Sequence, residues 1–534
     1  MHRRHFLRAW SRWAATLAWA QWQADVAQAQ SRPTAAERWQ APQETFSLGV
    51  ASGEPRPDSV VLWTRLAPQP LQPDGGMPKF RVSVRWWVAA DPACQQVVQQ
   101  GVAVADPALA HAVHVQVGGL LPDRTWYYRF EAGGQMSPVG RTRTAPDPEA
   151  HPAQLRLALA SCQHYEAGAF AVHRDIAQAD VDAVLFVGDY IYETQAPGFA
   201  RRRLHPHIFP RDPNAYTLTD YRLHHASYKL DADLRASHAA HPWLLVLDDH
   251  EVLNGYAGDF GDDDIASAEA FLKLRAAAYR AYFEHMPLAP TRRPQGAHMR
   301  IHDRFEWGQL AELWLLDGRQ HRHKPACTGW HELARGNALW ACPALDADER
   351  TMLGGDQEAW LAAGLASSTR AWKLIGQTTQ MSPASLPAPL GPVRYTDGWD
   401  AFPAARERLM SAIAQPRVQD VVVLGGDVHR HVAAQLRLDP LDPQSPIVAS
   451  EFVTSSITSK GLSEWIDALL RRFNRDLVHL RSDERGYARI DITPAQLRCT
   501  FRATRHPVRP DATLHDQATF VVDRGVPGVK RAPV

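Results

Sequence analysis

A chain of 534 residues is longer than one hydrophobic core organises, and length alone argues for roughly two to four domains. Hydrophobic residues make up 45% and charged residues 22%, ordinary globular values that exclude disorder over the whole chain. The 58 Lys and Arg balance the 58 Asp and Glu, so there is no net positive field of the kind that coats nucleic acid or grips an anionic membrane. A phosphorylated substrate stays open, because a bound metal supplies positive charge locally.

The N-terminus carries Arg3 and Arg4 ahead of Phe6 and Leu7, a modestly apolar stretch over 14–22, and the small-x-small triplet Ala27-Gln28-Ala29. This arrangement resembles a twin-arginine signal peptide covering residues 1–29. It implies the twin-arginine translocation machinery as a partner and a periplasmic or secreted location. The stretch is too short and interrupted to span a bilayer, and no other segment reaches the roughly 20 apolar residues that a transmembrane helix needs. Residues 46–145 then alternate polar and apolar side chains, as over 80–88 and 111–117, between turn signals. Such short strands predict a small all-β sandwich, and its Leu120-x-Pro122-x-x-Thr125-x-Tyr127 corner resembles an immunoglobulin- or fibronectin-like module. Pro146, Pro148 and Pro152 mark a linker.

From residue 155 the pattern changes. Largely apolar runs at 155–160, 183–187, 243–247, 313–316, 372–375 and 421–424 alternate with helical candidates at 169–179, 265–283, 357–365 and 402–413. Runs of this kind need cover on both faces, so residues 154–505 are expected to form a layered α/β domain, with 506–534 a C-terminal extension. Of the five cysteines, Cys327 and Cys342 flank a polar segment and are expected to pair in an oxidising compartment. Cys94 and Cys499 sit in strand-like surroundings and read as buried structural residues. The His- and Arg-rich stretch 201–207 reads as a solvated face.

Chemistry gathers where the apolar runs end. Ser161-Cys162-Gln163-His164 follows the first run and Gly188-Asp189-Tyr190-Ile191-Tyr192-Glu193 the second. Asp248-Asp249-His250-Glu251, Asp317-Gly318-Arg319-Gln320 and Gly425-Gly426-Asp427-Val428-His429 follow three more. Singly, an aspartate in such a place is a turn or cap residue and a histidine is a satisfied structural one. Five such endings around one crevice at the carboxyl ends of strands make a site. Its oxygen and imidazole donors suit Ca²⁺, Mn²⁺ or Fe, and a cation there resolves the mutual repulsion of the carboxylates.

Gly-Asp-x-x-Tyr (188–192), Asp-Asp-His-Glu (248–251) and Gly-Gly-Asp-Val-His (425–429), in this order, resemble the PhoD-like alkaline phosphatases of the calcineurin-like metallophosphoesterase superfamily. Segments 46–55, 61–65, 160–163, 350–354 and 372–375 match that family as well, so the resemblance spans residues 46–500. It implies a metallophosphoesterase-type α/β domain behind the β-sandwich, holding Fe³⁺ and Ca²⁺. By the resemblance, Cys162, Asp189, Tyr192 and His429 are iron ligands, with Asp189 bridging. Asp249 and Asp427 hold calcium, with Asn254 nearby and Gln377 or Gln380 as positional candidates. His250 lies by the leaving-group oxygen, and Arg319 clamps a phosphate oxygen. The chain departs from the family at Asn254-Gly255, where two amides are expected, and at Gly318, where a larger residue is common. The implied activity is hydrolysis of a small phosphate ester, monoester or diester, by a metal-bound hydroxide, for extracytoplasmic phosphate acquisition. Alternatives are a phosphodiesterase or phospholipase D-type enzyme acting on lipid or cell-wall diesters, and a non-catalytic phosphate-binding surface protein.

Overall fold

A computed structural model describes residues 39–261, 264–333 and 338–532. The expected signal peptide, 1–29, lies outside them. Among the described residues no helix is long and apolar enough to cross a membrane.

The apolar runs become strands, but they divide between two sheets. Leu155–Ala160, Ala183–Val187 and Pro242–Val246 lie side by side and parallel in a ten-stranded sheet. Ala311–Leu315, Trp372–Gly376 and Val421–Gly425 lie parallel in a seven-stranded sheet. Each of these strands is buried along its length except at Arg156 of the first, because each has packing partners on both faces. Period-two alternation sorts the partners. Leu313, Leu315, Leu374, Val422 and Leu424 face the core shared with Leu157 and Leu185. Trp314, Leu316, Ile375, Val421 and Val423 face outward, onto Leu361 and Leu365 of the helix Gly355–Ser367 and Leu409, Met410 and Ile413 of the helix Pro403–Ile413. On the ten-stranded sheet, Phe186 points to the helix layer, its ring 6.4 Å from that of His173 on the helix Ala171–Gln178. The core is therefore two facing sheets clad by helices, and all six strands deliver their carboxyl ends to one rim.

The N-terminal region is all-β and two-layered, with a core of Val60, Leu62, Val84, Val88, Val113 and Phe130. One of its layers is not a separate sheet. Val50–Gly53 pairs in parallel with Pro242–Val246, so Val50–Gly53, Val60–Arg65 and Ala112–Val117 extend the ten-stranded sheet. The complete burial of Val60–Arg65 reflects this position, covered on both faces. The other layer includes an unexpected strand, Val97–Ala105, whose largely exposed edge position leaves no clear alternation. Of the expected C-terminal extension 506–534, the described residues 506–532 are part of the fold, since His515–Asp523 and Val526–Arg531 complete the far edge of the ten-stranded sheet.

Cys327 and Cys342 form a disulfide. Cys499 is buried on its strand, whereas Cys94 is half-buried at a turn with φ 53°, not in a strand. The stretch 201–207 is only partly a solvated face. Arg203 lies 3.7 Å over the Tyr165 ring and pairs with Asp231, Arg201 pairs with Glu166, and His205 is buried against His224. Arg202 stays exposed, while the other groups pack against the helical layer, whose helices Leu218–Lys229 and Ala232–Ala240 the sequence pattern did not reveal.

Candidate active site

The turns that follow the strands are conformationally demanding. Cys162, Asp189, Asp427 and His429 all adopt left-handed backbone, with φ of 59°, 58°, 62° and 53°. Non-glycine residues hold this region only when their surroundings enforce it. The enforcement is visible: the Cys162 amide donates to the Gly188 carbonyl at 3.2 Å and the Gln163 amide to the Asp189 carbonyl at 3.1 Å, so the first two turns brace each other. Gly188 (φ 96°) is required, because a Cβ there would collide with Asp248. Glu251 ties in the third turn, accepting from the Tyr190 amide at 2.5 Å and the Asp248 amide at 3.0 Å.

These turns bring the expected ligands into two groups that share one carboxylate. Donor atoms of Cys162, Asp189 and His429 lie within 4.8 Å of one another, as do those of Asp189, Asp249 and His250. Tyr192 joins the first group, its hydroxyl 2.7 Å from Asp189 Oδ2 and 3.1 Å from His429 Nε2. His429 Nδ1 donates to the Lys460 carbonyl at 2.9 Å, which leaves the Nε2 lone pair facing Asp189 and Tyr192. His250 Nδ1 is committed to Glu193 Oε2 at 2.8 Å, which leaves Nε2 as its remaining ring nitrogen. Glu193 also accepts from the Asn254 amide at 2.8 Å. Asp427 stands in neither group; it accepts from Thr379 at 2.6 Å and from the Tyr395 hydroxyl at 3.2 Å.

Electrostatically the bare site is unstable as a set of anions. Burial, reinforced by neighbouring carboxylates, pushes Asp189 and Asp427 well above the usual carboxylate range. Burial also raises the Cys162 thiol and the Tyr192 phenol. Burial takes His429 down to about 3, keeping it a neutral donor. His250 goes the other way, because Glu193, Asp249 and Asp189 outweigh its desolvation. Asp189 Oδ1 is buried without a hydrogen-bond partner among the described residues. An orphaned carboxylate oxygen, surrounded by a thiol, a phenol and an imidazole lone pair, is what a multivalent cation satisfies. The donor set therefore fits bound metal.

Arg319 is placed otherwise than expected. It is fully enclosed, with Nε on Asp248, Nη1 and Nη2 on the two Asp397 oxygens at 2.5 and 2.6 Å, and Nη2 3.2 Å from Asp249. Its donors serve three carboxylates instead of an open phosphate position. Gln377 is held by Thr379 and Trp399, and Gln380 by Ser382 and Arg430, so both are structural braces. Asn254 contributes its main-chain amide, and Asp317 caps its own turn. Two contributors, Tyr395 and Asp397, escaped the sequence reading, and Glu193 was named at a strand end without a role. Glu193 was signalled by its place directly after Tyr192. Tyr395 and Asp397 follow no apolar strand, and nothing local marks them.

The chain matches the family described as PhoD-like phosphatase over residues 157–501 and that family's N-terminal domain over 29–146. It is 40% identical over 495 residues to alkaline phosphatase D of Bacillus subtilis (strain 168), covering 91% of this chain and 82% of that protein. A solved structure of PhoD superposes with a TM-score of 0.86 at 39% identity, covering 92% of this chain and 94% of that one. A purple acid phosphatase from yellow lupin seeds shares the fold, with a TM-score of 0.54 at 12% identity over 89% of this chain and 74% of its own.

Proposed function

Because the chain belongs to the PhoD-like phosphatase family and is a phosphoester hydrolase, we propose that it cleaves small phosphate esters at a two-part metal centre joined through Asp189. The observation that carries this reading is the meeting of two donor groups at that one carboxylate. Cys162, Tyr192, His429 and Asp189 form a set suited to a ferric ion. Asp189 and Asp249 offer oxygens to a second, harder cation such as calcium, with Asp427 on the same rim. Metal bound there lowers the pKa of water, polarises the phosphoryl group and neutralises charge as the ester bond breaks.

The protein's own groups supply the rest. The Glu193 carboxylate fixes the His250 ring and keeps it cationic, so Nε2–H is oriented to donate to the departing alkoxide. Arg319 acts as a positioning residue, holding Asp248, Asp249 and Asp397 in one array. Thr379 and Tyr395 orient Asp427. The Lys460 carbonyl fixes the tautomer of His429. The proposed cellular role is extracytoplasmic phosphate acquisition after twin-arginine export. Arg3-Arg4 with Ala27-Gln28-Ala29 supports export, and the Cys327–Cys342 bridge agrees with an oxidising compartment.

The test is metal analysis of the purified protein together with hydrolysis of p-nitrophenyl phosphate and bis(p-nitrophenyl) phosphate, for wild type and Asp189→Ala. Iron and calcium in the wild type, with activity lost in the variant, are expected. Full activity in Asp189→Ala overturns the shared-carboxylate centre. The ratio of the two substrate rates separates monoesterase from diesterase.

A further inference from the structure

Next to the metal-type donor groups lies a cavity of about 320 Å³ that none of the roles above uses. It shares walls with the catalytic rim at two points. One is Asp397, which grips Arg319. The other is Asn254-Gly255, whose amides bond Glu193 and Asp249. Anything held in this cavity while its phosphate is at the rim is the organic part of the ester.

The remaining walls have a definite chemistry. The Phe402 ring forms one side, with the guanidiniums of Arg350 and Arg322 at 4.8 and 5.6 Å from its centroid. Both arginines are nearly buried, at 8% and 4% exposure, so they are built in, not casual surface charges. Arg350 commits Nε and Nη1 to the Ala401 and Lys324 carbonyls, and its Nη2 makes no hydrogen bond among the described residues. Phe260 lines the cavity as well, and the carboxylate of Glu332 borders it. The wall carrying Cys327 is fixed in two ways. The Cys327–Cys342 bridge closes its base, and Ala338–Leu339 pairs with Arg394–Tyr395, the strand leading to Asp397.

A bare phosphate would leave the aromatic walls unused, and an acyl chain would leave the Arg350 donor and the Glu332 acceptor unused. A hydroxylated ring compound uses both, packing its ring against the half-buried Phe260 while its hydroxyls reach the polar groups. We infer that this cavity is a specificity subsite for a ring-bearing, hydroxylated substituent, a sugar or nucleoside, on the phosphate ester. The inference rests on the hydrolase reading above and adds the class of the organic group.

The probes are adenosine 5′-monophosphate and glycerol 1-phosphate, with wild type, Ala326→Trp at the half-buried wall and Thr328→Trp at its exposed edge. Both positions line the cavity away from the donor groups, and both substitutions fill it. Lost packing and hydrogen bonds in a subsite change discrimination by about tenfold or more. The adenosine-to-glycerol ratio of kcat/KM is expected to fall by at least that factor, through KM for the nucleotide. An unchanged ratio in the folded Thr328→Trp protein overturns the subsite and leaves the hydrolase reading intact. A wild-type protein that hydrolyses neither of these esters, nor p-nitrophenyl phosphate nor bis(p-nitrophenyl) phosphate, overturns the hydrolase reading itself.

Discussion

Arg319→Met is the most informative single perturbation of the carboxylate array. The guanidinium is fully enclosed and is shared by Asp248, Asp249 and Asp397. Asp397 keeps Arg322 at 2.7 Å after the substitution, but Asp248 loses the cation on Oδ1, and its Oδ2 already lacks a partner among the described residues. Stranding a buried charge in this way costs about 3–5 kcal/mol. The cost depends on pH. Burial, with Asp249 adding to it, already lifts Asp248 from 3.8 to about 6 against the pull of Arg319, and removing the cation lifts it further. A carboxyl whose folded pKa is raised has its stability fully present below its unfolded value and loses it as pH rises through the folded value. The variant's deficit is therefore expected to be full near pH ~8 and much smaller near pH ~5. The assay is urea unfolding of chelator-treated wild type and variant, comparing midpoints at equal slope. Adding Asp248→Asn to Arg319→Met is expected to recover part of the loss at the higher pH. A deficit below about 1 kcal/mol at pH ~8, or an equal deficit at both pH values, refutes the assignment of Arg319 as the keystone of a charged array.

Glu193→Gln keeps the shape of the side chain but removes the charge that fixes His250. Partners of this kind are worth about 10–100-fold in activity, so kcat/KM is expected to fall within that range. Activity within about twofold of wild type would deny Glu193 that role. Cys327→Ser with Cys342→Ser opens a loop of sequence separation 15 and is expected to cost about 3 kcal/mol, measured by denaturant unfolding. Glu251, raised from 4.5 to about 8 by burial, contributes stability that is present below 4.5 and lost as pH rises through 8. Glu251→Gln is accordingly expected to flatten the alkaline loss of stability in the chelated protein, and an unchanged pH profile would count against it.

Much of the site was legible in the sequence because a strand that is apolar on both faces leaves its signature in consecutive residues, and the chemistry comes in the next two or three. Asp189, Asp249, Asp427 and His429 were read that way, whereas the roles of Cys162, Tyr192 and His250 came from the family resemblance; the structure gathers all of these but Asp427 within two touching groups. What local pattern does not encode is which strand lies beside which. Six similar runs read as one layered domain, and only pairing across the chain divides them into two facing sheets. The same holds for Val50–Gly53, whose hydrogen bonds to a strand nearly 200 residues away join the N-terminal region to the central sheet. Arg319 shows the limit most sharply. Its residue type and position suit a phosphate clamp, yet its partners are fixed by Asp248, from another strand end, and Asp397, from an irregular loop. The sequence by itself determined the strand ends and the donor types, because these depend on short-range periodicity and on side-chain chemistry, and its motifs carried the resemblance to the family. Tertiary structure alone decided that Arg319 is turned inward and that Tyr395 and Asp397 stand against Asp427 and Arg319. Each of these depends on contacts between residues far apart in the chain, made only when the two sheets close on one another.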